Sequence, residues 1–230
     1  MKRYVRHSLL LMVVLPLLLS GCETTHQVTK GEEFPGMYEE QPRSLLILPP
    51  INESTDVEAK AYYMTTVEVP FALSGYYVFP VEMVSDIMKQ EGVYDTEVLY
   101  QVPHEKFREY FGADAVLYTR IKKWDISYMV IASSLTVSIE SEIVSTKSSQ
   151  QLWTYTGTVV VDLSGGNTGG GMAGLIAQAI VTAVNTAAAD YVDYARVANT
   201  RLIGTLPVGP YHEMYMQDQD VQLVDQTPGR

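Results

Sequence analysis

The chain has 230 residues, with 27 acidic against 16 basic side chains for a formal charge of −11, and a single cysteine. That balance excludes nucleic acid as a partner and excludes a polybasic membrane patch, because phosphates and anionic headgroups would be repelled. One cysteine allows no internal disulfide, and the length suits one domain able to bury its own core.

The chain opens with Lys2, Arg3 and Arg6, followed by an apolar run from Leu9 to Leu19 interrupted only by Pro16. A helical membrane span needs about 20 residues, so this run is too short to cross a bilayer and reads as a secretory leader, excluded from the fold. Leu19-Ser20-Gly21-Cys22 resembles the lipobox of bacterial lipoproteins. That resemblance implies cleavage between Gly21 and Cys22 and a diacylglycerol thioether on the Cys22 sulfur. It also explains why one thiol is kept in an oxidising compartment with nothing to pair with. Glu23 and Thr24 follow in place of Asp, a pattern that points to the outer membrane. Two or more acyl chains would hold the protein there stably, at about 0.8 kcal/mol per buried methylene.

Residues 22–43 are polar, acidic and rich in Gly and Pro, and read as a solvated tether. A single periplasmic domain is expected over 44–215, and an acidic tail over 216–230. "SLLILPP", from Ser44, has the continuous apolar character of a strand buried on both faces. Ser54 and Thr55 are candidate caps for a helix that Pro70 must kink or end and Gly75 must stop. "YYVFP" reads as a second short strand. Val81, Val84, Ile87 and Met88 share one face of the next helix, closed by Gly92, and a further helix runs from Pro103 to Gly112.

Beyond Gly112 the period changes from 3.6 to 2. Ala113 to Lys123 reads as a strand. Leu135, Val137, Ile139 and Ile143 alternate with polar residues, as do Trp153, Tyr155, Val159 and Val161, with "TKSSQ" as the hairpin loop between them. A glycine-rich loop over 164–171 leads into a long C-terminal helix reaching about Asn199. That helix is amphipathic with a weak apolar side: Gln178, Thr182, Asn185, Asp193 and Arg196 share one face, Ile176, Ile180, Ala183, Val184 and Ala187 the other. It could pack on the core, on a partner subunit or in a membrane.

Catalytic patterns are sparse. Gly169, Gly171 and Gly174 satisfy G-x-G-x-x-G, but no second parallel strand ending in an acid follows, so a loop is the reading. His26, His104 and His212 lack ligand spacing, and neither a metal nor another cofactor is expected. Glu140 and Glu142 face one side of a strand, as catalytic carboxylates or as a solvated face. Tyrosine is abundant, 16 against five Phe. Tyr62-Tyr63, Tyr76-Tyr77, Tyr211 and Tyr215 are candidates either for partner contacts or for core rings whose hydroxyls reach water, and Tyr211 and Tyr215 are the chosen partner anchors.

"PRSLLILPPINESTDVEAKA", "SGYYVFPVEM", "FGADAVLYTRIKKW", "QLWTYTG" and "GPYH" at 209–212 together resemble a family of bacterial lipoproteins catalogued as domain of unknown function seven-ninety-nine. That family is similar in turn to the periplasmic domain of CsgG and the N-terminal domain of TolB. The resemblance implies an α/β fold with a mixed, partly antiparallel sheet flanked by helices. It also implies an outer-membrane lipoprotein working beside a CsgG-like lipoprotein and a small accessory lipoprotein. No catalytic residues are assigned in the family, and the expectation is a non-enzymatic assembly subunit, with a small-ligand-binding module or envelope enzyme as the alternative.

Overall fold

Ser44 to Ile47 form β1, buried at every position, because Leu45 and Ile47 point to one face of a sheet and Leu46 to the other, and both faces are covered. The structure, a computed structural model, describes residues 28–128, 133–162, 196, 199–201 and 203–223. The leader, the glycine-rich loop, nearly all of the expected C-terminal helix and residues 224–230 lie outside the described residues. Within them the order is α1 (Lys30–Glu33), α2 (Pro35–Glu40), β1, β2 (Ile51–Asn52), α3 (Ala59–Leu73), β3 (Tyr77–Val78), α4 (Val81–Gln90), α5 (Thr96–Leu99), α6 (His104–Phe111), β4 (Ala115–Tyr128), β5 (Ser133–Ser145) and β6 (Gln151–Asp162).

The sheet runs β3-β1-β4-β5-β6, with β2 also on β4. β1 pairs in parallel with both β3 and β4, whereas β4, β5 and β6 form an antiparallel meander, so the sheet is mixed as expected. Pro49 and Pro50 end β1 because they have no N–H for the ladder; Ile51 and Asn52 then resume pairing on β4, opposite Arg120 and Ile121. A register shift between Ile121 and Lys123 inserts one extra residue, and this keeps Trp124 on the same buried face as Ile121. In β5 and β6 the alternation holds where side chains are described: Leu135, Val137, Ile139, Ile143, Trp153, Tyr155 and Val159 are all buried. Gly157 is required by its neighbour, since a Cβ there would lie 2.0 Å from the hydroxyl of Tyr155, whose ring lies along the strand.

One face packs Leu45, Leu117, Trp124 and Trp153 against Tyr63, Val67 and Phe71 of α3. The opposite face packs Leu46, Val116 and Val144 against Val84 of α4, Leu99 of α5 and Phe107 of α6. A buried polar chain crosses the first layer: Tyr63 Oη lies 3.1 Å from Thr119 Oγ1, which lies 3.0 Å from Ser141 Oγ.

Several expectations are corrected. Ser54 and Thr55 do not cap α3, which starts only at Ala59; the Ser54 hydroxyl donates to Asn52 Oδ1 and holds the loop instead. Of the two outcomes expected at Pro70, ending the helix does not occur, because Pro70 sits in the last turn, where one lost N–H bond is tolerated; the helix stops at Leu73, with Ser74 N–H closing back on Pro70 O just before Gly75, as expected. The short helix α5 and strand β2 have too few residues to show a period.

The largest correction concerns residues 28–43 and 216–223. Residues 28–43 are not a solvated tether: Thr29 and Glu32 form a reciprocal capping box on α1, and Phe34 and Met37 are buried. Nor do residues 216–223 trail away as a tail. Thr29 bridges Gln222, Lys30 N–H donates to Val221 O, and Asp218 is buried. Apolar burial at Phe34, Met37 and Leu206 offsets the ordering of both segments.

Candidate functional site

Residues 28–43 and 206–223 meet over the face of the sheet covered by α3. Lys30 is buried and its Nζ donates to Leu206 O at 2.7 Å and pairs with Asp218 Oδ2 at 3.3 Å. Asp218 also accepts from Tyr38 Oη at 3.1 Å and from Val208 N–H at 3.0 Å. One carboxylate therefore ties together α1, α2 and the C-terminal segment. Burial and the neighbouring Asp218 carboxylate push the Tyr38 hydroxyl well above the usual tyrosine range. Tyr76 is raised for the same two reasons, burial first, and donates to Pro207 O.

This clasp fixes residues 207–216 as a strap. Gly209 N–H donates to Ser74 O at 2.8 Å and Tyr211 N–H to Gly75 O at 3.0 Å. The approach is so close that a Cβ on Gly75 would lie 2.5 Å from His212 N, and Gly75 has φ +88°, a conformation that glycine adopts without steric cost. The result is a backbone-held turn that presents Tyr211 to solvent, 70% exposed, with Met214 also exposed and Tyr215 half-buried. Leu73, an exposed large hydrophobic in the last turn of α3, lies two residues before Gly75, whereas Tyr77, two residues after it, packs edge-on to Phe79 toward the other face of the sheet. An aromatic held by a fixed backbone loses little entropy on contact, which suits it to anchor a partner.

The other candidates fall elsewhere. Gly21 and Cys22, and the Gly169-Gly171-Gly174 pattern, lie outside the described residues. The tyrosine pairs are split by their elements: Tyr63 and Tyr76 are buried, Tyr62 stacks on Trp124 with ring centroids 6.2 Å apart, and Tyr77 is exposed. Glu140 and Glu142 sit on the open face of β5. Glu140 lies 3.7 Å from Lys122, and Glu142 accepts from Gln151 at 2.6 Å. Beside them Lys122 and Arg120 hold the Glu53 carboxyl below the usual range by hydrogen bonds. His104 packs edge-on to Tyr118, and His212 Nδ1 accepts from Met214 N–H. Among the described residues no group of three His, Cys, Asp or Glu side chains could hold a metal ion, and no helix is long and apolar enough to cross a membrane.

The sequence reading missed the Lys30–Asp218 clasp. The T-x-x-E capping box at Thr29 with Pro35 at a helix start was a usable signal for α1 and α2; nothing local marks Asp218 as their partner.

Comparison with known proteins identifies the relatives. Residues 33–209 match the family model described as "Putative lipoprotein GNA1162-like". The chain is 32% identical over 184 residues to "Putative lipoprotein NMB1124/NMB1162" of Neisseria meningitidis serogroup B, covering 79% of this chain and 83% of the relative. The crystal structure of lipoprotein GNA1162 from Neisseria meningitidis is similar at a TM-score of 0.53 and 31% identity, over 64% of this chain and 100% of that one. The family match ends at Gly209, just before Tyr211. On these grounds the chain belongs to the GNA1162-like family, whose members are named as putative lipoproteins, and with them to the membrane-anchored proteins of the cell envelope.

Proposed function

We propose that this protein is anchored to the periplasmic side of the outer membrane through lipid on Cys22 and serves as a non-catalytic assembly subunit of an envelope complex. Its partners in this reading are a CsgG-like lipoprotein and a small accessory lipoprotein. The observation that carries it is Tyr211, largely exposed on a strap fixed to Ser74 and Gly75 by backbone hydrogen bonds. An exposed aromatic on a rigid support is the kind of group that dominates interface energetics. Membership of a lipoprotein family supports the anchor, the lipobox resemblance supports Cys22, and the resemblance to the domain of unknown function seven-ninety-nine family supports the choice of partner.

Crosslinking and pull-down from detergent-solubilised envelopes tests the docking role. Tyr211→Ala and Tyr215→Ala should lower recovery of the CsgG-like partner at an unchanged melting temperature. Undiminished recovery would reject the strap as the docking surface. In the same strain background, Cys22→Ser should abolish palmitate labelling and release the protein from the outer membrane; retained label would reject the anchor.

A further inference from the structure

Between α3, α4 and α5 lies a groove of about 380 Å³, within the range of small-molecule sites. Its walls are mostly apolar, with Met64 from α3 on one side and Met88, Val93 and Tyr94 on the other. Lys60 lines the same groove, half-buried, and its Nζ donates to the Oγ1 of buried Thr96. Among the described residues no carboxylate oxygen lies within 4.0 Å of that ammonium.

This arrangement is unusual for a chain with so large an acidic excess. A lysine drawn half out of water normally acquires a carboxylate partner, because a hydroxyl compensates little of the lost hydration. Burial indeed pulls the Lys60 pKa down, and Glu97 and Asp95 oppose that only from a distance. The other lysine on the groove, Lys89, is already paired with Asp86 at 3.4 Å. Lys60 thus supplies one positive charge, and a threonine hydroxyl whose oxygen accepts from it keeps a proton to donate. A single anionic oxygen pair between them would complete both groups. Glu82, also on the lining, would repel a second negative charge.

We infer that the α3–α4–α5 groove binds a small monoanionic amphiphile, its carboxylate or phosphate head on Lys60 and Thr96 and its short unbranched tail along Met64, Met88 and Val93. Polyanions are disfavoured by the net charge of the chain, and neutral apolar molecules leave the ammonium uncompensated. Such a head and a single tail can come from a free fatty acid or from a single-chain lysophospholipid of the membrane. No residue of the strap lines this groove.

The test uses the full lipidated chain in phosphatidylcholine nanodiscs and an octanoate carrying a terminal diazirine, followed by peptide mapping. Crosslinks should map to the peptides containing Met64, Met88 and Val93, and octanoate should compete at least tenfold better than octanol. Lys60→Met and Thr96→Val should each reduce labelling severalfold, with the melting temperature unchanged or raised for Lys60→Met, while Lys60→Arg retains it. Competition by lysophosphatidylglycerol in the nanodisc would assign the ligand to the membrane, and competition by free octanoate alone to the soluble acid. Labelling that persists in Lys60→Met, equal competition by octanol, or crosslinks confined to other peptides would overturn the inference.

Discussion

On one face of the sheet, Leu45, Leu117 and Trp153 are sealed by α3 together with residues 28–43 and 206–223; on the other, Leu46, Val116 and Val144 are sealed by three short helices that directly follow β3. The first closure depends on contacts between residues 180 and 188 positions apart, Tyr38–Asp218 and Lys30–Asp218. The second is local, and beyond β4 it reaches only Val144 at the end of β5: over the rest of β5 and β6 that face carries Glu140, Glu142, Thr154 and Thr156, at least partly in water. The long-range seal is polar at its centre and the local seal is apolar. A polar centre penalises separation of these two segments, because parting them would leave a buried charge without its partner.

Breaking that centre should have the largest effect. Lys30 and Asp218 have side chains only 8% and 6% exposed, so Asp218→Ala leaves an ammonium buried without its counter-charge and deprives Tyr38 Oη and Val208 N–H of their acceptor. The expected loss is about 3 to 5 kcal/mol in urea unfolding. Lys30→Met combined with Asp218→Leu should recover part of it, since no charge is then left behind. A loss below about 1 kcal/mol for the single change would show that these two segments lie outside the cooperative unit. By the same reasoning, deletion of 207–230 should unfold the domain and not merely remove a docking segment.

Gly75 and Gly92 sharpen the same contrast. Both have positive φ, +88° and +85°, but a Cβ on Gly75 meets His212 at 2.5 Å whereas one on Gly92 meets nothing within 4 Å. Alanine at either site should cost about 1 to 2 kcal/mol for the left-handed backbone. Only Gly75→Ala should cost roughly 1 to 3 kcal/mol more, the usual penalty for overpacking, and only it should expose the strap to proteolysis. Equal losses at the two sites would mean that the strap is not held against α3.

The local seal was largely legible in the residues. Val81, Val84 and Met88 at helical spacing are buried, and Pro103 and Gly112 bracket α6 as expected, because period and punctuation are both short-range properties. Ile87, expected on the same face, sits at the rim and is 37% exposed. The meander was legible for the same reason. The clasp was not, since Lys30 in a polar stretch and Asp218 in an acidic one each resemble solvated residues. Only their meeting in space makes them core. Lys60 went unnoticed similarly: its groove is formed by three helices, of which α5 has four residues and shows no period.

Alkaline titration probes the sheet layer beneath α3. Burial raises the Tyr63 hydroxyl from 10.0 to about 12. A folded pKa above the unfolded one means that its contribution is complete below pH 10 and is lost as pH rises from 10 towards 12. At about 1.36 kcal/mol per unit, the loss is roughly 2 to 3 kcal/mol. Tyr63→Phe should cost about 1 kcal/mol at pH 7, where it removes the bond to Thr119, yet flatten the alkaline limb of the stability curve. An unchanged alkaline slope would place the loss at other buried tyrosines.

The open face should be the most tolerant. Glu140 is 45% exposed at the side chain and pairs with Lys122, itself 40% exposed, at 3.7 Å; ion pairs of that exposure contribute roughly 0 to 1 kcal/mol. Glu142 accepts a hydrogen bond from Gln151, and a glutamine in its place keeps an acceptor oxygen there. Glu140→Gln with Glu142→Gln should therefore shift stability by less than about 1 kcal/mol and leave recovery of the envelope partner unchanged, because neither charge is desolvated and neither side chain touches the strap. The two readouts separate the alternatives. If the carboxylates performed proton transfer or bound a ligand, cellular function would fall while the unfolding midpoint stayed in place, and the open face, not the strap, would become the functional surface of the molecule.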